Sequence, residues 1–252
     1  MLRTPAWSVF WSTFRLAAAV LTVAAVVAQL IRTVGNAYAA TTDYAGDVPT
    51  VVTNFFSYFT IESNLLAAVT LAIGGVWGLT RGRRAIVEPS WFAVLLACVT
   101  TYMVITGIVY NTLLRGYALD QGTTVVWSNE VMHVVIPIVL LLDLLLAPKR
   151  RGLPWRTVGV IAIFPIVWVV YTLVRAPFIT APATGDPTWY PYPFLNPANF
   201  DNGFGTVALY IVGIAAGVVA VGSFVVWVGR AREDQRADAE VGDPRFTPSV
   251  DA

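Results

Sequence analysis

Charge is scarce in this 252-residue chain: Asp, Glu, Lys and Arg make up 12% of it, against roughly 25% in soluble domains. Hydrophobic residues fill 57%, which excludes an ordinary water-soluble domain and leaves an integral membrane protein. Cysteine and histidine are scarcer still, at one each. Cys98 lies in the middle of an apolar run with no second thiol, so an intramolecular disulfide is excluded. One His with one Cys also excludes a zinc site of the His/Cys type. A carboxylate-only metal site stays open in principle, but nothing spaces the acids for one, and neither metal nor cofactor is expected. The chain has no Gly-x-Ser-x-Gly elbow, no His-Glu-x-x-His, no phosphate-cradling glycine loop and no dinucleotide fingerprint. No basic stripe interleaved with aromatics offers a footprint for nucleic acid, and no internal repeat is visible.

What is there is length of apolar sequence. A helix needs about 20 mainly apolar residues to cross the hydrocarbon core, and six segments qualify: 12–31, 56–79, 90–113, 125–146, 156–175 and 205–228. The expected fold is an all-α, polytopic bundle of six transmembrane helices over residues 1–229. The charged, Pro-containing stretch 230–252 is expected to be a disordered tail. Of the sixteen Lys and Arg residues, only Arg32, Arg115 and Arg175 fall on one side of such a bundle. Basic residues collect in cytoplasmic loops, so both termini are expected inside, in a multi-pass cell-membrane protein. The first span has some features of a signal peptide, including the small-residue site Ala37-Tyr38-Ala39. Its apolar stretch is rather long for one, and Arg32 interrupts the approach, so a retained helix is expected. In span six, Gly213-Ile-Ala-Ala-Gly217 is a pattern that lets helices approach closely; it serves either packing within the chain or a homodimer.

The lone His133 sits inside the fourth span, with Glu130 one turn before it and Pro137 four residues after. A titratable residue at membrane depth is costly and often functional, and histidine is suited to moving protons near neutral pH. Either it serves chemistry or it is a core histidine bonded across helices. Spans two and four run in the same direction. Near the outer end of span two, Thr60 and Asn64 share one helical face with Ser63 beside them, while Glu62 points away. Asn129, Glu130 and His133 occupy one turn toward the outer end of span four. Glu62 and Glu130 have Arg115 and Arg175 as candidate partners, and Asp143 has Lys149 and Arg150 near the other end. The loop Trp189-Tyr-Pro-Tyr-Pro-Phe-Leu-Asn-Pro-Ala-Asn-Phe200 is rigid in composition and either lies at the interface or roofs a site.

A Thr hydroxyl needs an adjacent base to become a nucleophile. From their positions below the outer boundary, Thr60 and His133 differ in depth by roughly 6 Å at 1.5 Å rise per residue, which permits a pair. A separation beyond about 7 Å would count against it. The segment Tyr58-Phe-Thr-Ile-Glu-Ser-Asn64, His133 with Pro137, and the Tyr-Pro-Tyr-Pro-Phe-Leu run resemble the bacterial branch of the androgen-induced protein family, over nearly the whole chain. That resemblance implies six spans in a bacterial plasma membrane. It also implies a hydrolase of fatty acid esters of hydroxy fatty acids or similar lipid esters, with Thr60 as nucleophile and His133 as its partner. Asn64, Asn129 and Glu130 are the candidates for support: Asn64 as oxyanion donor, Asn129 or Glu130 to orient the imidazole. The expected partner is a membrane lipid or fatty acid ester. Two other readings stand beside it: a lipid-binding scaffold without activity, and a small-solute or proton transporter relaying through Glu62, Glu130 and His133.

Overall fold

The computed structural model describes residues 4–116 and 124–241, the last six by backbone alone. The protein is an all-α bundle with six helical segments long and apolar enough to cross a membrane. They are α1 (Pro5–Tyr38), α4 (Phe59–Leu79), α5 (Ser90–Val109), a fourth segment composed of α6 (Val126–Glu130) and α7 (Ile136–Leu146), α8 (Thr157–Arg175) and α9 (Phe204–Val241). Two short helices, α2 (Asp43–Gly46) and α3 (Val48–Phe56), join α1 to α4.

α5 occupies the centre and packs on α4, α7, α8 and α9, whereas α8 and α9 bury the least of their surface. The tightest seam joins α1 to α4. There a Cβ at Gly75 would stand 2.8 Å from the Ser12 carbonyl oxygen, so only glycine lets the two backbones come this close. Ala18, Ala25 and Val26 of α1 are buried in the same core as Ala67 and Leu71 of α4, making α1 an integral part of the bundle. Gly217 is used inside the chain, where its Cβ position lies 3.5 Å from Ile105 of α5, while Gly213 faces open space.

At the basic end an ion cluster locks three segments. Asp143 of α7 accepts from Arg15 Nε of α1 at 2.6 Å, from Arg150 Nη2 at 2.7 Å and from Trp11 Nε1 at 2.6 Å. Glu88 completes it, 3.4 Å from Arg150. Of the two expected partners of Asp143, Arg150 binds it, while Lys149 donates to the Gly82 carbonyl. Burial disfavours the Lys149 ammonium and lowers its pKa from the usual lysine value.

The sequence expectation differs from the structure at both ends of α1, at the start of α4 and at the end of α9. The first helix runs Pro5–Tyr38 rather than 12–31, started by Thr4, whose hydroxyl accepts from Trp7 N–H at 3.2 Å, and by Pro5 at the first helical position. The second span starts at Phe59, after a break at Ser57 and Tyr58. The expected disordered tail is corrected as far as Val241, since α9 continues to that residue. Arg, Ala, Glu and Gln there are good helix formers, and Arg232 ties α9 to the end of α7 by donating to the Leu144 and Ala147 carbonyls, each at 2.6 Å. Residues 242–252 lie outside the described residues.

Candidate active site

Proline and an irregular turn prepare the His133 site. The segment Val131–Val135 between α6 and α7 is a π-turn, in which Ile136 N–H reaches back to the Val131 carbonyl. Met132 O thereby loses its α-helical donor, and the next residue along, Pro137, has no N–H to replace it. His133 O loses its own α-helical donor to the same proline. Both freed carbonyls are satisfied from neighbouring spans: Asn64 Nδ2 donates to Met132 O and Asn111 Nδ2 to His133 O, each at 3.3 Å. A second π-turn, Tyr110–Leu114, continues α5 opposite the first. Its Tyr110 ring stacks on His133 with centroids 3.9 Å apart. Such turns recur at functional sites because they re-aim a side chain without ending the helix.

Thr60 is the second residue of α4. At a helix start the backbone N–H has no intrahelical partner, and here the Tyr192 hydroxyl accepts it at 3.1 Å. The Thr60 hydroxyl lies 3.3 Å from His133 Nε2 and 3.2 Å from Tyr192 Oη. His133 Nδ1 is 2.9 Å from the Asn129 carbonyl oxygen. A carbonyl only accepts, so Nδ1 carries the proton and the neutral ring presents a lone pair at Nε2. The rest of the chain of donors follows: Thr60 O–H donates to Nε2, and Tyr192 O–H donates to Thr60 Oγ1. Thr60 is 8% and His133 5% exposed, so no bulk water competes for these bonds.

Tyr192 belongs to the proline-aromatic loop, which roofs the site. Its ring packs edge-on against Tyr58, and the Arg175 guanidinium lies over neighbouring Trp189 at 5.3 Å. Burial pushes the Tyr192 hydroxyl up to about 12, partly offset by its bonds to Thr60, so it remains a protonated donor at physiological pH.

The structure brings Thr60 and His133 together and re-assigns the three supporting candidates. Asn64 is fully buried, and its amide donates to Thr60 O at 2.8 Å as well as to Met132 O. Both of its N–H groups are spent on backbone, which corrects the oxyanion role: Asn64 staples α4 to the π-turn. Asn129 orients the imidazole with its main chain, while its side chain bonds Tyr110 Oη. Glu130 faces Arg115 at 3.0 Å in an exposed pair, and among the described residues no hydrogen bond joins it or Glu62 to His133. Among the described residues, the buried Glu62 Oε2 has no hydrogen-bond partner and Arg175 bonds Asn54 rather than an acid. Tyr110, Asn111 and Tyr192 are the site residues that spacing did not single out. Pro137, which frees the His133 carbonyl, was the one local signal pointing to a partner such as Asn111.

Two cavities meet at Thr60. One of about 220 Å³ lies between α5, α8 and α9, and one of about 50 Å³ contains His133; Thr60 and Tyr192 line both. No family model, curated protein or solved structure matches this chain.

Proposed function

We propose that the protein is a membrane-embedded hydrolase that cleaves a lipidic carboxylic ester through Thr60 and His133. The observation that carries this reading is the buried Thr60–His133 contact of 3.3 Å with Nδ1 held by Asn129 O. A weak hydroxyl nucleophile gains an adjacent base whose tautomer is already set. Thr60 Oγ attacks the ester carbonyl carbon as its proton passes to Nε2. The C–O bond to the alcohol then breaks, and Nε2 returns the proton to the leaving oxygen. Water completes the cycle by the same route in reverse roles, releasing the fatty acid and restoring Thr60. This reading takes the chain as a relative of the androgen-induced protein family, with the site nearer the outer face.

Tyr192 supplies the charge stabilisation. Its O–H rests on Thr60 Oγ1 and turns to the substrate carbonyl oxygen once Thr60 has attacked. Loss of one such donor typically costs 10²–10³ in turnover, so Tyr192→Phe is expected to lower kcat by about 10²-fold with KM little changed. Steady-state rates of the variant and the parent measure it.

The nucleophile is tested by labelling. A fluorophosphonate that reacts with activated Ser and Thr hydroxyls is expected to label the purified protein, with the adduct mapped to Thr60 by peptide mass. Thr60→Ala is expected to abolish it. Equal labelling of Thr60→Ala would remove Thr60 from the mechanism.

A further inference from the structure

The two cavities differ in size, chemistry and access to the proton. The larger is walled by aliphatic and aromatic side chains and holds no formally charged group. Its rim includes Ile166 of α8 and Val219 of α9, 57% and 49% exposed, on the two helices least covered by the rest of the bundle. In α8, Pro165 leaves the Ile161 carbonyl without its helical donor; Tyr102 Oη supplies one at 2.9 Å. The wall on that side is therefore irregular but satisfied, and the cavity opens sideways toward lipid tails. The smaller cavity is lined by His133, Gln29 and Asn129 together with apolar side chains including Phe55, Ile61 and Met132.

Of these two cavities, His133 lines the smaller. The proton that Nε2 returns must meet the leaving oxygen there, so the alcohol portion of the ester has to occupy that side. We infer that the ester binds in one orientation: a long acyl chain in the 220 Å³ cavity between α5, α8 and α9, and a small alcohol in the 50 Å³ cavity beside His133. The inference rests on the hydrolase reading above and adds the substrate class. The smaller space admits a few water-sized groups, and the larger is about four times its volume. That suits a fatty acyl ester of a methanol- to glycerol-sized alcohol and departs from the hydroxy fatty acid esters that the family resemblance implies.

In the reaction the Thr60 Oγ–acyl carbon bond forms and the carbon–alkoxy bond breaks. The small alcohol leaves with the Nε2 proton and vacates the space from which water then attacks. Water gives its proton to Nε2 and its hydroxyl to the acyl carbon, so ester and water yield fatty acid and alcohol.

Two isomeric esters separate the orientations: methyl palmitate, with the long chain on the acyl side, and pentadecyl acetate, with it on the alcohol side. The purified full chain in mixed micelles is expected to favour methyl palmitate in kcat/KM by at least about tenfold, the scale on which one or two misplaced methylenes are discriminated. Ala162→Phe, which fills the larger cavity away from the reacting groups, is expected to shift the optimum from palmitate toward shorter methyl esters. Equal or better cleavage of pentadecyl acetate overturns the orientation, as does an unchanged chain-length optimum in Ala162→Phe. Failure to cleave methyl palmitate while the fluorophosphonate still labels Thr60 also overturns it and leaves the hydrolase reading standing. Absence of both cleavage and labelling removes the two together.

Discussion

His133→Gln is expected to cut ester turnover by about 10²–10⁴-fold, the usual worth of a positioned general base, while the folded protein survives. Glutamine has a length near that of histidine and places an amide where Nε2 was. That amide donates but takes no proton, so Thr60 keeps a neighbour and loses its base. The contrast with a merely structural histidine is sharp. His133 is also held by Asn129 O and by the Tyr110 ring at 3.9 Å, and a residue kept only for those contacts would give the opposite pattern. Its replacement would lower the melting temperature and spare the rate per folded molecule. Turnover and thermal unfolding of the same preparation in detergent decide between them. A drop in melting temperature with turnover retained would return His133 to packing. The orienting acceptor is main chain, so no side-chain change at 129 deletes it and the base stands or falls at position 133.

The parts of this arrangement that sequence shows are those set by local period and composition. Six apolar runs give six helices because a spanning segment has no other way to satisfy its backbone. Thr60 and His133 could be placed within reach of each other from helix direction and rise alone, and they lie at hydrogen-bond distance. The helix ends were less legible. α1 begins seven residues before its expected start because Thr4 caps it, and α9 outlasts its apolar stretch because Arg232 finds carbonyls at the end of α7. The supporting residues were least legible for a related reason. Asn64 and Glu130 were judged as side chains near a base, but their roles depend on which carbonyls a π-turn frees and where Arg115 lies. The proline-aromatic loop showed that a roof was available. Which aromatic would reach a backbone N–H 132 residues away depends on tertiary placement that no local pattern encodes.

Asp143→Ala is expected to destabilise the protein by about 3–5 kcal/mol, because it leaves the buried Arg15 guanidinium without its paired anion and Arg150 with Glu88 alone, at 3.4 Å. Arg15, Arg150 and Asp143 are each less than a tenth exposed, so water does not replace the carboxylate. Against a total stability of about 5–15 kcal/mol for a folded domain, this loss is a large fraction. The exposed Arg115–Glu130 pair gives the comparison. At nearly half exposure on both sides, breaking it with Glu130→Ala is worth at most about 1 kcal/mol. Size is not the cause of the difference, since Asp143→Asn keeps the shape and some hydrogen bonding yet removes the charge, and it falls between Ala and the parent. Replacing Asp143 by Leu, Arg15 and Arg150 by Met and Glu88 by Gln removes the unpaired charges as well and is expected to recover much of the loss. Ten residues of helix, about 15 Å at 1.5 Å each, separate Asp143 from His133. Turnover per folded molecule is therefore expected to stay within about twofold in Asp143→Asn, while its unfolding midpoint in detergent falls. Equal melting temperatures for Asp143→Ala and the parent would show that the two arginines find other anions, and that the cluster does not lock α1 to α7.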